Sequence, residues 1–191
     1  MELTEKTLNE EYIYKGRIIK VRRDEVELPN GHKSMREVVE HSGGVCVLPL
    51  TDRDEVIFVR QFRYPYKEVI LEIPAGKRDH GEESPLECGK RELAEETGYT
   101  ARELVDLGPF HPSPGATAET IHLFLARCDA HAGETHQDPS ESIRGREATL
   151  AELATLIASG EFRHGAGLAA YARAVARGLI EPPLPEKGAR R

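Results

Sequence analysis

The chain has 191 residues, 39% hydrophobic and 31% charged, which suits one domain with a small appended element. Its 33 acidic residues outnumber 26 basic ones, and the formal net charge of −7 excludes a general nucleic-acid binder, which needs a basic surface to neutralise phosphates. A small phosphate-bearing ligand stays compatible, because a bound divalent cation inverts the local sign of charge.

The three cysteines, Cys46, Cys88 and Cys128, are scattered and form no CxxC pair, which reads as reduced thiols in a cytoplasmic protein. The opening MELTEKTLNEEY is polar and acidic, unlike a secretory signal. No apolar run approaches the roughly 18 residues that a membrane span requires. These features predict a soluble cytoplasmic protein.

In chain order, residues 11–40 read as short strands: EYIYKG, IIKVRRDEVEL and REVVEH, with Pro29-Asn30-Gly31 as the hairpin turn before the last. GGVCVLPL (Gly43–Leu50) is a continuous apolar run, as in a strand buried on both faces, and VIFVRQF follows after a polar turn. A helix opens at Ser84-Pro85-Leu86-Glu87, which supplies an N-cap, a proline at N1 and a glutamate at N3. Gly98 ends it as a left-handed terminator, and Leu86 and Leu93 are expected to anchor it to a sheet. Strands at 101–107 and within TIHLFLARC flank the Pro/Gly loop FHPSPGATAE. A second helix opens at Thr149-Leu150-Ala151-Glu152 and ends near Gly160, and a third spans about Gly167–Arg177. Strands with helices between and after them predict an α/β or α+β sandwich.

Chemistry concentrates in GKRDHGEESPLECGKRELAEETGY, Gly76–Tyr99. Glu92 and Glu96 stand four apart and so share one helix face, with Glu95 adjacent and Arg91 one turn before it. Carboxylates stacked at that spacing repel one another, and a hard cation such as Mg²⁺, which takes oxygen ligands, removes the repulsion. An isolated Glu-Glu pair is ordinarily a solvated face; here it is embedded in a longer pattern.

That pattern resembles the Nudix box, Gly-x5-Glu-x7-Arg-Glu-apolar-x-Glu-Glu-x-Gly-apolar. Arg91-Glu92-Leu93-Ala94-Glu95-Glu96-Thr97-Gly98-Tyr99 meets its second half residue for residue. The first half carries one extra residue: Gly76 to Glu82 keeps the five-residue gap, whereas Glu83 to Arg91 keeps the seven-residue gap. Glu83 is taken as the first glutamate, since it precedes the helix start in phase with Arg91. VRQFRYP, LEIPAGK and SPGATAE are similar to the flanks of the ADP-ribose pyrophosphatase branch, which in turn resembles GDP-mannose hydrolases.

The resemblance implies a Nudix α/β/α sandwich with a mixed sheet (residues 44–191), preceded by an N-terminal β extension (residues 1–43) that pairs two chains into a homodimer. It implies Mg²⁺, or Mn²⁺ in its place, held by Glu92, Glu96 and the Ala75 carbonyl, with Glu83 in the metal set. Glu95 becomes a ligand or supporting group, and Arg91 orients the glutamates. Arg63 is placed on substrate phosphates, where its planar fork suits them; Glu72 and Glu119 are carried over more loosely, near ribose or metal. The base is expected from a late loop, with Glu141 in DPSESIRG as first choice and Asp138 and Glu134 as neighbours. Pro114 lies near the proline downstream of the box in ADP-ribose hydrolases.

The chain has no Trp, so base stacking falls to Tyr or Phe, with Tyr12 and Tyr14 as candidates, although strand core is the commoner use of such residues. No HExxH, P-loop or GxGxxG occurs, which weighs against zinc, NTP-driven and dinucleotide redox chemistry. The expected reaction is hydrolysis of a nucleoside diphosphate sugar, ADP-ribose first, to AMP and ribose 5-phosphate. The alternatives are GDP-mannose or another Nudix substrate, and a non-catalytic Nudix-fold sensor, which the intact Glu92, Glu95 and Glu96 oppose.

Overall fold

A computed structural model describes residues 3–78, 83–129, 133–137 and 142–183. By internal contact the chain falls into two units, one of residues 1–43 with 111–120, the other of residues 44–110 with 121–191.

The first unit is an antiparallel meander of β1 (Lys6–Lys15), β2 (Lys20–Glu27) and β3 (Lys33–Glu40). The Pro29-Asn30-Gly31 turn closes β2 onto β3, Gly31 taking φ +79° and donating its N–H to the Leu28 carbonyl. Segment 111–120 joins this sheet through Val39, whose N–H donates to Ala116 and whose carbonyl accepts from Ala118. Every residue of β1 is exposed, so Tyr12 and Tyr14 are not strand core. Tyr12 donates its hydroxyl to Glu40 at 3.2 Å, and Lys15 Nζ lies 4.2 Å above its ring.

The second unit is a mixed seven-stranded sheet. Its strands are β4 (Gly44–Leu50), β5 (Glu55–Arg63), β6 (Glu68–Glu72), β7 (Ala75–Lys77), β8 (Ala101–Phe110), β9 (Ile121–Cys128) and β10 (Ile143–Thr149), with β10-β5-β4-β9-β8 as its path. β4 runs parallel to β9, in register from Gly44 with Ile121 to Leu50 with Arg127, and the other pairings are antiparallel. All seven residues of β4 are buried, as a central strand covered on both faces requires.

The pleat sorts β4 and β5 between two cores. Val45, Val47 and Ile57 meet Cys88 and Leu93 of helix α1 (Pro85–Thr97), together with Phe124. Cys46, Leu48 and Phe58 meet Leu153 of α2 (Leu150–Ser159) and Ala166 and Ala170 of α3 (Gly165–Ala176), with Phe162 between the helices. The architecture is the expected α/β/α sandwich. None of the helices is long and apolar enough to cross a membrane, among the described residues.

Several local expectations are corrected. Leu86 is 41% exposed, and Cys88 joins Leu93 as the anchor of α1. Gly89 is buried because a Cβ there would stand 3.3 Å from the Phe124 ring, so the helix approaches β9 through it. The late loop quoted as DPSESIRG gives way at Ile143 to an edge strand, Ile143–Thr149, its Arg-Gly-Arg-Glu centre being the polar pattern that edges carry. β6 and β7 are too short to show a period.

Candidate active site

The Gly76–Tyr99 segment is built by local rules. Ser84 Oγ accepts the Glu87 N–H at 3.2 Å, and the Glu87 carboxylate accepts the Ser84 N–H at 3.0 Å, the reciprocal cap expected from the sequence. The Ser84 hydroxyl, which donates to the Glu87 carboxylate at 2.7 Å, and the Ser84 N–H together hold the Glu87 carboxyl below its usual range. At the far end Gly98 adopts φ +75° and its N–H returns to the Ala94 carbonyl. Gly98 has a second constraint, since a Cβ would lie 2.4 Å from the Gly133 oxygen. The Gly133 N–H donates to Gly98 at 2.7 Å and the His136 N–H to the Glu95 carbonyl at 3.1 Å, so residues 133–137 lie along the end of α1.

One guanidinium organises the acidic face. Arg91 grips Glu83 with two donors, Nε at 2.9 Å and Nη2 at 3.1 Å, while its Nη1 reaches Glu92 at 2.8 Å and Glu95 at 2.9 Å. These carboxylates, Glu83 foremost, raise the Arg91 pKa further, so it stays charged throughout. Glu83 therefore belongs to the set with Arg91, while Glu82 lies outside the described residues.

Glu92 and Glu96 lean on the backbone of β7. A Cβ on Gly76 would fall 2.0 Å from the Glu92 carboxyl carbon, so only glycine lets that carboxylate sit there. The Glu96 carboxylate, in a residue 5% exposed, accepts the Ala75 N–H at 3.3 Å. Nearby, Arg63 forks onto buried Glu72, Nη2 at 2.6 Å and Nε at 3.0 Å. Burial pushes the Cys46 thiol well up, and the charges of Glu72 and Glu96 add to it. Arg63 and Glu72, expected separately at the substrate, are thus tied to one another.

Glu119 falls in the other unit, where its carboxylate lies 3.5 Å from His41 Nδ1. Glu134 is exposed; Asp138 and Glu141 lie outside the described residues. Two residues escaped the sequence reading. Gln137 pairs its side-chain amide with both backbone groups of Ile143, at 2.8 and 3.0 Å. His164 Nδ1 accepts the Ile73 N–H at 3.3 Å, and burial lowers the His164 pKa. No spacing rule marks a glutamine or histidine that acts on a distant backbone. Tyr99 donates its hydroxyl to Glu147, and burial with that carboxylate pushes the phenol up to about 12. Tyr99, Glu147, Glu96 and Gln137 all border a cavity of about 390 Å³ beside the end of α1.

The residues present fit a divalent cation. The donors are hard oxygens, and the missing Cβ of Gly76 is the cradle that admits Glu92. Among the described residues no three Asp, Glu, His or Cys side chains converge as a ready-made cage; Arg91 gathers three of the carboxylates instead.

A NUDIX domain matches residues 40–170, and a nucleoside diphosphate sugar hydrolase N-terminal domain matches residues 5–39. The ADP-ribose pyrophosphatase of Bacillus subtilis (strain 168) is 44% identical over 160 residues, 83% of this chain and 86% of that protein. The methanol dehydrogenase activator of Bacillus methanolicus is 46% identical over 123 residues, 64% of this chain and 66% of that one. A crystal structure of an ADP compounds hydrolase shares the fold with a TM-score of 0.79 at 23% identity, covering 94% of this chain and all 100% of the other. The chain belongs to the Nudix family. It is a Nudix hydrolase, and the ADP-ribose pyrophosphatases of that family generally depend on a divalent metal.

Gly76→Ala tests the packing of Glu92 on β7. The clash falls on the end of a flexible side chain, so Glu92 moves and the fold survives. We expect kcat/KM to drop about 10²-fold, the cost of displacing a reacting group by about 1 Å, with Tm almost unchanged. Full activity in Gly76→Ala would show that the contact has no catalytic weight.

Proposed function

We propose that this enzyme hydrolyses the pyrophosphate bond of a nucleoside diphosphate sugar, ADP-ribose foremost, to AMP and ribose 5-phosphate. The observation that carries the reading is the pair Glu92 and Glu96, on one helix face and against the Ala75–Gly76 backbone. The choice of ADP-ribose draws on the 44% identity to an ADP-ribose pyrophosphatase.

Glu92, Glu96 and the Ala75 carbonyl would hold Mg²⁺, with Glu83 and Glu95 close by on Arg91. When bound, the ion polarises the pyrophosphate oxygens and lowers the pKa of a coordinated water. Arg91 orients Glu83, Glu92 and Glu95. We assign Arg63 to the substrate phosphates; its anchor on Glu72 keeps a planar fork oriented before substrate arrives. Glu119 is assigned loosely to the ribose or metal side. Glu141 is assigned as the base that takes the proton from the attacking water, on its Glu-x-Ile-Arg context.

A product assay with Mg²⁺ across a panel of nucleoside diphosphate sugars decides the substrate. ADP-ribose should be cleaved with the highest kcat/KM; faster cleavage of GDP-mannose would move the assignment to that sugar. In the same assay Glu141→Gln should lower kcat roughly 10²–10⁴-fold, the range for loss of a general base, with little change in KM. A crippled Asp138→Asn beside a normal Glu141→Gln would shift the base to Asp138.

The working assembly is proposed to be a homodimer, in which the N-terminal strands cover their exposed Tyr12, Ile13 and Tyr14. Light scattering at micromolar concentration should give twice the 21.3 kDa chain mass; a single-chain mass across that range would refute it. The cytoplasm is the proposed compartment, because the three buried cysteines are all free thiols. A chain isolated from cells with its cysteines oxidised would argue against that.

A further inference from the structure

The sheet face opposite α1 carries a charge arrangement that the hydrolytic site does not use. Arg60 of β5 and Arg144 of β10 are directly opposed in the antiparallel ladder, so both side chains leave the same face. Phe58 lies two residues before Arg60 and belongs to the core under α2 and α3, which fixes the face as the one away from Glu92 and Glu96. Like charges set directly across a ladder destabilise it unless something of opposite sign intervenes. Neither arginine has a carboxylate partner among the described residues.

The surroundings sharpen this. Arg146, two residues beyond Arg144, lies 5.2 Å above the Phe58 ring and spends one terminal nitrogen on Glu152 at 2.6 Å, yet its Nε is buried with no acceptor. Arg60 and Arg146 open on a cavity of about 580 Å³ between the sheet and α2, with Arg163 at its edge held by Glu68. Glu161 is the remaining acid on the rim. Next along the same face the cross-strand pair Phe62 and Val69 is 52% and 61% exposed, an apolar shelf beside the guanidiniums.

We propose that Arg60, which lines this groove, and its ladder partner Arg144 beside it form a second, non-catalytic site for a phosphate-bearing small ligand. Arg60 and Arg144 receive the phosphate oxygens, because planar guanidinium forks pair with them and the anion relieves their mutual repulsion. Two sources share that chemistry: a nucleotide, whose base would rest on Phe62, and a free polyphosphate, which would use the arginines alone. The acidic net charge of the chain makes such a basic groove a local exception.

The test is isothermal titration of the full chain with AMP and, separately, with inorganic pyrophosphate, both in EDTA so that no divalent ion loads the hydrolytic site. Saturable binding of either probe is expected, weakened roughly tenfold or more in Arg60→Gln/Arg144→Gln, where the charge-assisted bonds are lost. ADP-ribose hydrolysis by that variant in Mg²⁺, without added ligand, should match wild type and so confirm an intact fold. Arg60→Lys/Arg144→Lys, which keeps charge and loses the fork, should fall between. Tighter AMP identifies a nucleotide and tighter pyrophosphate a polyphosphate, and either order supports the site. No saturable binding by wild type, or equal binding by the glutamine variant, overturns it. This outcome is independent of the substrate assignment.

Discussion

The guanidinium of Arg91 is the interaction on which the rest of the site depends. Four glutamates, Glu83 just before α1 and Glu92, Glu95 and Glu96 within it, lie along one segment, and uncompensated they would repel one another. Arg91 contacts three of them at hydrogen-bond distance, and those contacts hold its charge more firmly still. A lysine could not do the same, because it offers a point charge rather than a planar fork with donors on several sides. Three carboxylates of the acidic face are therefore gathered on one guanidinium within the chain itself.

Backbone placement follows from that constraint. β4 pairs with β5 only at Leu50 and Val56, and its other end pairs with β7 instead. This split brings Ala75 and Gly76 beside α1, where one supplies an N–H to Glu96 and the other the space for Glu92. At the opposite end of α1, Gly98 lets residues 133–137 lie against the helix, and Gln137 fastens them to the start of β10. The acidic face and the end of α1 thus rest on three backbone approaches, two of which require glycine.

Sequence reading succeeded where chemistry is local. The Ser84 cap, the Gly98 terminator, the buried run in β4 and the Arg91–Glu95 spacing are each set by residues within a turn or a strand of one another. It fell short where a residue acts across the fold. The bond from His164 to Ile73 spans 91 positions, and the pairing of Arg60 with Arg144 appears only once β10 is placed. β10 was missed because an edge strand with a central glycine shows little alternation. Leu86 was misplaced because a helix start has only one turn in which to show its buried side.

We propose that Glu92 and Glu96 form a divalent-metal face beside Arg91, seated on β7. This is tested most directly by the turnover of Glu96→Gln as a function of Mg²⁺ concentration, beside wild type and with the fold checked by circular dichroism. The substitution keeps the shape and removes one ligand charge, so turnover should be almost abolished at ordinary Mg²⁺ while the spectrum is unchanged. Wild-type rates in Glu96→Gln at ordinary Mg²⁺ would contradict the account.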